Sequence, residues 1–329
     1  MTRRLRVGVI GTGALGFHHA RLLRGLADTE FAGIFDTNPT RAAQVAKELG
    51  VAAHPSLDAL LAGVDAVSVA VPTSVHTEVG LAVLERGIAA LIEKPLSDSV
   101  AGAERLVAAA AKANVVLQVG HVERFNRAVR AALPYLDRPK FLQCERLAPF
   151  QPRGTDVAVV LDLMIHDLDL ILELVGAEVR EVRASGVPVL TPHVDIANAR
   201  VEFTNGAVAL VTASRISRER TRKLRIFQPS GYFSLDLAQG GGHYYRLKPG
   251  WQKQGAVKIE EIVEHVKLDA PEAEPLRLEL ESFLTAVRGE APVVVSGAAG
   301  AQALALAWRV AEAIQASPLL SPAPPAAKP

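Results

Sequence analysis

Two short segments of the sequence carry side chains that could take a proton from an alcohol. Asp162 and His166 are four residues apart, so on a helix they share one face. Two polar groups on an otherwise apolar helix are costly to bury unless they face a site or each other. Lys94 follows an apolar run and precedes Pro95. Because a lysine or histidine within hydrogen-bond reach of a hydroxyl can act as a general base, these segments predict proton transfer.

A third segment is rich in glycine and predicts the hydride acceptor. Gly11-Thr12-Gly13-Ala14-Leu15-Gly16 directly follows the β-branched run Val7–Ile10 and opens a helical pattern. Gly11 permits a tight turn, Gly13 lets a pyrophosphate approach the backbone, and Gly16 lets helix and strand pack closely. The alternatives are glycines that serve packing alone, and FAD, which uses the same fingerprint.

An acidic residue at the right distance indicates which dinucleotide binds. Asp36 lies 20 residues past Gly16, at the end of the second β-branched run, with Thr37 beside it. A carboxylate there accepts hydrogen bonds from both ribose hydroxyls and repels a 2′-phosphate, which favours NAD over NADP. Arg41 keeps NADP open as the less favoured cofactor, since its side chain could reach a phosphate.

The first 120 residues alternate short β-branched runs with helix-length segments, which is typical of βαβ units. Strands are predicted at Val7–Ile10, Phe31–Phe35, Ala66–Val71, Ala89–Ile92 and Val115–Val119. Helices are predicted at Gly16–Leu26, Arg41–Leu49, Leu57–Leu61, His76–Arg86 and Ser97–Ala113. Right-handed crossovers then give a Rossmann-type doubly wound parallel sheet, which binds its ligands at the carboxyl ends of the strands.

After Gly120 the pattern changes to an α+β domain with a mostly antiparallel open sheet. A buried helix is predicted over Val157–Leu174, and Asn205-Gly206 predicts a tight hairpin turn. We therefore expect a dinucleotide-binding domain over 1–120, a substrate-binding and oligomerisation domain over 121–316, and a disordered proline-rich tail over 317–329. An open sheet face that needs a partner favours a homodimer or homotetramer.

Composition excludes several classes of protein. The 329 residues carry 36 basic and 35 acidic side chains, a balance that predicts no nucleic acid partner. The single cysteine, Cys144, excludes an internal disulfide and a zinc site built on several cysteines, and it favours a cytoplasmic protein. No apolar run reaches the ~20 residues of a membrane helix. We expect no metal, because Asp169 would lie ~10 Å along the helix from Asp162.

These motifs together resemble the glucose-fructose oxidoreductase/inositol dehydrogenase/MocA (Gfo/Idh/MocA) family of NAD(P)-dependent sugar dehydrogenases. The resemblance spans roughly residues 5–315 and rests on the glycine fingerprint, the turn Glu93-Lys94-Pro95 and the helix with Asp162 and His166. Within the family, the segments Gly120–Asn126 and Asp162–Asp167 are most similar to bacterial enzymes that oxidise UDP-N-acetylglucosamine at C3. In that subgroup the ketone is later aminated on the way to lipid A with amide-linked chains.

The resemblance and the chemistry together assign roles. Lys94 would bond the reacting hydroxyl, His166 would take or relay its proton, and Asp162 would orient the imidazole or hold a sugar hydroxyl. Either Lys94 or His166 could be the immediate base. The resemblance also implies a cis bond between Lys94 and Pro95. It places further residues beside the cofactor, namely Pro72, Thr73, His76, Glu93 and Arg124.

Cations and polar groups for a nucleotide sugar are predicted in the second domain. Arg153, Arg222 and Arg225 would contact the pyrophosphate, because arginine forks suit phosphate oxygens. Arg124 and Asn126 would contact the substrate or the nicotinamide, although they could simply cap and cover a helix. The alternative functions are a dehydrogenase of a free sugar, inositol or sugar acid, and a non-catalytic NAD-binding redox sensor.

Overall fold

The computed structural model describes residues 4–151, 157–251 and 258–316, and the chain divides into two compact units. The first unit comprises Met1–Val122 and Ala273–Leu304, and the second comprises Glu123–Glu272 and Ala305–Pro329. This division is based on how the residues pack. The functional domain ranges 1–120 and 121–316 stay a prediction. The tail predicted at 317–329 lies outside the described residues.

A five-stranded parallel sheet forms the centre of the first unit, in the order β2-β1-β3-β4-β5. Its strands are β1 (Leu5–Ile10), β2 (Thr29–Phe35), β3 (Ala66–Val69), β4 (Ala89–Glu93) and β5 (Leu117–Gly120). The helices between them are α1 (Ala14–Leu23), α2 (Pro39–Leu49), α3 (Leu57–Leu61), α4 (His76–Leu84) and α5 (Val100–Ala113). The predicted doubly wound parallel sheet is confirmed. Its strand order reverses between β1 and β3, where such sheets bind dinucleotides.

An eight-stranded sheet forms the second unit, in the order β13-β12-β11-β10-β6-β9-β8-β7. Its strands are β6 (Phe141–Leu147), β7 (Val179–Val187), β8 (Ile196–Phe203), β9 (Val208–Ser214), β10 (Thr221–Gln228), β11 (Gly231–Asp236), β12 (Gly241–Leu247) and β13 (Val263–Leu268). The helices are α6 (Arg127–Ala132), α7 (Ile165–Val175) and α8 (Ile259–Ile262), followed along the chain by α9 (Pro275–Val287) and α10 (Gly297–Gln315). Only the β6–β9 pair is parallel among these described strands, so the mostly antiparallel sheet is confirmed.

Helix α9 returns to the first unit because its apolar face completes that core. Leu280, Phe283 and Leu284 are buried in the same cluster as Val7 and Leu23. A boundary drawn from a change in strand pattern cannot detect such a return, since α9 reads as an ordinary amphipathic helix. The first unit therefore gains a segment distant in sequence.

The hairpin between β8 and β9 forms where the sequence predicts it. Gly206 has φ +80°, a left-handed conformation that glycine adopts without strain. The Asn205 side chain accepts a hydrogen bond from the backbone N–H of Ala207 at 3.0 Å. The turn fixes the register of β8 against β9, and with it the face on which each side chain lies.

The predicted helix over Val157–Leu174 forms with a different beginning. Residues Val160–Met164 make a wider π-helical turn, and α7 continues from Ile165 to Val175. Such π-helical turns are rare in proteins, and those that occur are often found at functional sites. Elsewhere in the described ranges, none of the helices combines the length and apolar character that a bilayer crossing requires.

Candidate active site

The glycine turn between β1 and α1 has the shape of a phosphate cradle. A Cβ at Gly11 would fall 2.7 Å from the Ala70 carbonyl oxygen, and one at Gly16 would fall 1.9 Å from the Gly11 carbonyl oxygen. A Cβ at Gly13 would meet nothing within 4 Å, so the space above this residue is open. No side chain caps α1 at Gly13, and Ala14 and Leu15 are exposed. The backbone N–H groups of this helix start are arranged as a pyrophosphate requires, so the residues fit NAD.

The Asp36 carboxylate is held in place by the same turn. Its Oδ2 accepts hydrogen bonds from Thr12 N at 2.7 Å and Thr12 Oγ1 at 2.8 Å, and its Oδ1 accepts one from Asn38 N at 2.8 Å. Burial alone would raise the pKa of Asp36, but these hydrogen bonds outweigh it and hold the pKa below its usual value. Asp36 is therefore an anion at the end of β2, beside the exposed Thr37, as a ribose-binding residue must be.

Arg41 is anchored to this turn as well. Its Nε donates a hydrogen bond to the Thr12 carbonyl at 2.8 Å, so Asp36 and Arg41 are tied to one residue. A cation placed in this way partly offsets the repulsion between Asp36 and a 2′-phosphate. The arrangement therefore favours NAD over NADP through the carboxylate of Asp36.

The Glu93-Lys94-Pro95 turn lies at the carboxyl end of β4, on the same edge of the sheet as the glycine turn. The Lys94–Pro95 bond is cis, as the resemblance implied. Lys94 is half-buried, whereas Glu93 is buried. The Glu93 carboxylate lies 2.9 Å from His19 Nε2, so it is directed into the protein rather than towards a cofactor.

His76 supports the turn from the end of β3. Pro72 and Thr73 lead into α4, where His76 Nδ1 lies 2.8 Å from the Pro95 carbonyl oxygen and Nε2 lies 2.9 Å from that of Val71. Burial lowers the pKa of His76 although both carbonyl partners favour its charged form. Because both ring nitrogens contact the backbone, His76 shapes the wall of the crevice, and we no longer expect it to offer a nitrogen to the cofactor.

Asp162 and His166 lie in the second unit, across the junction between the π-helical turn and α7. Both side chains are half-buried, and Met164 and Ile165 between them are fully buried. Asp167, which follows His166, is buried in the protein and is only 2% exposed. The helix thus presents Asp162 and His166 at its surface while the next residue anchors it in the core.

Arg124 departs from its predicted ligand contact. Its guanidinium makes two hydrogen bonds to Asp169, at 2.6 and 2.8 Å, and contacts Glu173 at 2.5 Å. The side chain is 6% exposed, and burial, which would lower the pKa of Arg124, is outweighed by the two carboxylates, which raise it. Arg124 therefore holds the second half of α7 and is not presented to a ligand.

Asn126 also has a structural role. Its Oδ1 caps α6 by accepting the N–H of Ala128 at 3.0 Å, and its Nδ2 donates to Glu123 at 2.9 Å and to the Leu237 carbonyl at 2.8 Å. The side chain is buried, so the capping alternative describes it better than substrate contact.

A buried group of charges connects α7 to the sheet of the second unit. We call Glu123, Arg146, Asp167 and Arg222 the Arg146 cluster. Arg146 donates to both oxygens of Asp167, at 2.8 and 2.9 Å, and to Glu123 at 2.8 Å. Burial raises the pKa of Asp167, while its charge and that of Glu123 raise the pKa of Arg146 further above its usual range. This cluster was not predicted from the sequence, although Arg146 shares one face of β6 with the buried Leu142 and Cys144.

The three arginines predicted to bind pyrophosphate are not equivalent. Arg222 and Arg225 lie three residues apart on β10, so their side chains are on opposite faces of the sheet. Arg222 lies 3.5 Å from Glu123 and its side chain is 40% exposed. Burial and the nearby Arg146 cation lower the pKa of Arg222. The two cannot bind one pyrophosphate together, and Arg153 lies outside the described residues.

Replacing Asp36 tests the assignment of the ribose site. We expect Asp36→Ala to weaken NAD binding by about 10- to 100-fold, because charge-assisted hydrogen bonds contribute about 1.5–3 kcal/mol. Binding of NADP should be retained or improve, since Arg41 stays anchored at Thr12. Calorimetric titration with each dinucleotide measures both constants. Asp58→Ala, which removes an exposed carboxylate from α3, is the control. An unchanged ratio of the two constants in Asp36→Ala would remove Asp36 from the site.

Comparison with known proteins agrees with this arrangement. Residues 5–121 match the NAD-binding Rossmann-fold model of the Gfo/Idh/MocA oxidoreductases, and residues 148–318 match the C-terminal alpha/beta domain of the same family. The chain is 43% identical over 317 residues to a UDP-N-acetylglucosamine 3-dehydrogenase of Acidithiobacillus ferrooxidans, covering 95% of this chain and 98% of that protein. A solved structure of that enzyme, GnnA, superposes with a TM-score of 0.88 at 41% identity, covering 95% of this chain and 98% of the other.

More distant matches also extend over nearly the whole chain. A myo-inositol 2-dehydrogenase of Thermotoga maritima is 27% identical over 330 residues, covering 94% of this chain and 96% of that protein. A structure of GenD2 from gentamicin A biosynthesis, in complex with NAD, has a TM-score of 0.80 at 23% identity and covers 96% of this chain and 95% of the other. The predictions of NAD and of an oxidoreductase are confirmed. With both family domains matched in order, the chain belongs to the Gfo/Idh/MocA family of NAD-binding oxidoreductases.

Proposed function

We propose that this protein oxidises a secondary hydroxyl of a nucleotide sugar, UDP-N-acetylglucosamine at C3, with NAD as hydride acceptor. The observation that carries the proposal is the half-buried Lys94 at the carboxyl end of β4, on the same sheet edge as the glycine turn and Asp36. The choice of substrate is supported by the 43% identity to the Acidithiobacillus ferrooxidans enzyme over nearly the whole chain.

The reaction separates one hydride and one proton. When bound, NAD accepts the hydride from the carbinol carbon, and the hydroxyl proton must leave to a base so that a ketone forms. Lys94 hydrogen-bonds this hydroxyl, and His166 takes or relays the proton. Asp162 orients the imidazole or holds a neighbouring sugar hydroxyl. In the reverse direction Lys94 polarises the carbonyl.

Turnover with defined substrates tests the proposal. NADH formation should depend on UDP-N-acetylglucosamine and exceed the rate with N-acetylglucosamine or myo-inositol, with an aminotransferase and glutamate present to remove the ketone. Lys94→Ala and His166→Asn should each lower kcat by about 10²–10⁴-fold with NAD binding retained, since general bases contribute this much. The variant that keeps more activity is the one that still contains the immediate base. The pH profile of kcat in that variant then reports the ionisation of the remaining residue and assigns the base to it.

Other outcomes identify other functions. A rate that is highest with myo-inositol would move the protein to the polyol dehydrogenases, for which the 27% identity to the Thermotoga maritima enzyme is the supporting observation. NAD binding without turnover on any sugar would indicate a redox sensor. Unchanged turnover in Lys94→Ala would remove Lys94 from the mechanism whichever substrate is used.

Arg222 is the cation that we propose for the pyrophosphate. Its side chain is 40% exposed and lies 3.5 Å from Glu123, so the guanidinium is held in place while part of it can reach an arriving anion. We expect Arg222→Ala to raise KM for UDP-N-acetylglucosamine by about 10-fold, the effect of one charge-assisted hydrogen bond, with little change for N-acetylglucosamine. Arg225→Ala, on the opposite face of the same strand, is the matched control. Equal changes in KM for both variants, or for both sugars, would contradict this assignment.

We also propose that the chain forms a homodimer or homotetramer through the open face of its second sheet. An aromatic ladder crosses this face on paired positions of five strands, from Phe141 through Phe227, Tyr232 and Tyr245 to His265. The rings of Phe227 and Tyr232 stack at 4.9 Å, those of Tyr232 and Tyr245 at 5.1 Å. Phe227 is 38% exposed, and continuous apolar surface of this kind indicates an interface.

The mass in solution tests this association. Light scattering should give two or four times the 35.0 kDa of the chain, and Tyr232→Glu, which places a charge in the ladder, should lower it. A wild-type mass of one chain would contradict the proposal.

We place the enzyme in the cytoplasm, with its single cysteine a buried thiol, and its ketone product on a route towards amide-linked lipid A.

A further inference from the structure

The first unit contains a buried carboxylate for which the proposed reaction has no use. Glu93 is 8% exposed at the end of β4, immediately before Lys94. Burial alone would raise the pKa of Glu93, but contact with His19 and the charge of Lys94 outweigh it and lower the pKa. Glu93 is therefore ionised, and burying an anion is expensive unless its contacts serve a purpose.

Glu93 is the middle of a chain of three contacts. Ser68 Oγ lies 2.7 Å from His19 Nδ1, His19 Nε2 lies 2.9 Å from Glu93 Oε1, and Glu93 Oε2 accepts the backbone N–H of Lys94 at 3.2 Å. One neutral tautomer suits both sides of the imidazole, because Nδ1 can then accept from the serine hydroxyl while Nε2–H faces the carboxylate at contact distance. The side chains of Ser68 and His19 are 1% and 0% exposed, so water does not compete for these contacts.

On the side facing β5 the carboxylate has little room to move. A Cβ at Gly120 would lie 3.0 Å from both Cδ and Oε2 of Glu93, so the side chain is packed directly on the end of β5. Glu93 is thus wedged between α1 and β5. His76 holds the other end of the same turn through the Pro95 carbonyl.

We propose that His19 is a positioning residue for Lys94, acting through Glu93 to fix the backbone from which the Lys94 side chain reaches the substrate hydroxyl. The inference rests on the role of Lys94 in the proposed function. His19 lies on α1, the helix that begins at the glycine turn, and Ser68 lies on β3. The chain therefore ties the lysine to the two elements on either side of the dinucleotide crevice. A displacement of about 1 Å at a reacting group can cost about 10²-fold in rate, so such a support has a measurable effect.

Two substitutions at one position separate positioning from stability. His19→Gln can place an amide nitrogen where Nε2 lies and keep the contact with Glu93. His19→Asn reaches only the position of Nδ1, so it keeps Ser68 and loses Glu93. We expect His19→Asn to lower kcat by about 10- to 100-fold while KM and the dissociation constant of NAD change little. His19→Gln should retain most of the turnover. His54→Asn, which alters a histidine bonded to the Ala32 carbonyl, is the control.

A second measurement does not depend on turnover. Hydrogen–deuterium exchange of the chain without cofactor should be faster at the Lys94 amide in His19→Asn than in wild type, and close to wild type in His19→Gln. If wild type shows no sugar oxidation, the proposed function fails, and this exchange difference alone decides whether His19 holds the turn. Parallel losses of turnover and thermal stability in both variants, with no difference at the Lys94 amide, would overturn the proposal.

A substitution on the other side of the carboxylate covers the case in which His19→Asn does not fold. Gly120→Ala leaves His19 intact but displaces the Glu93 carboxylate by a few tenths of an ångström. The proposal predicts lower kcat, unchanged NAD affinity and faster exchange at the Lys94 amide. Wild-type kcat and exchange in Gly120→Ala would count against a role of Glu93 in placing Lys94.

Discussion

The close approach of backbone to backbone at the glycine turn is the constraint on which the first unit depends. The Gly11 carbonyl occupies the space of a side chain at position 16, and Ala70 occupies that of a side chain at position 11. This contact brings the start of α1 against the end of β3 and fixes Thr12, to which both Asp36 and Arg41 are bonded. The same helix carries His19 inward to Glu93. The proposed phosphate cradle, the proposed ribose site and the proposed support of Lys94 therefore all begin at one turn.

Local patterns were sufficient to predict most of this first unit. The spacing of Gly11, Gly13 and Gly16 before an acidic residue depends on neighbours in sequence and on strand order, and a parallel sheet brings its carboxyl ends together by construction. The inward direction of Glu93 could not be predicted, because it depends on His19, which is 74 residues away in sequence and on another element. The return of α9 to the core of the first unit could not be predicted either, because it also depends on contacts between segments that are distant in sequence.

Arginines were the residues that the sequence placed least well. Arg124 reads as a ligand contact next to a strand end, yet Asp169 and Glu173, four residues apart on α7, enclose its guanidinium. Arg146 was not among the candidate residues, yet it is buried with Asp167 and Glu123. A long cationic side chain is recognisable in a sequence, but whether it meets a carboxylate or a ligand is decided by tertiary contacts. The alternation of side chains along β10 then places Arg222 and Arg225 on opposite faces of the sheet.

A common device supports the candidate catalytic residues of both units. Lys94 follows the buried carboxylate of Glu93, which His19 contacts, and His166 precedes the buried carboxylate of Asp167, which Arg146 binds through two hydrogen bonds. In each unit the residue adjacent to the reactive group is anchored in the interior by a basic side chain. Because neighbouring side chains diverge from one backbone, fixing one restricts where the other can point. Burying these two carboxylates costs free energy of folding. In return, each one fixes the neighbouring residue with the accuracy that proton transfer requires.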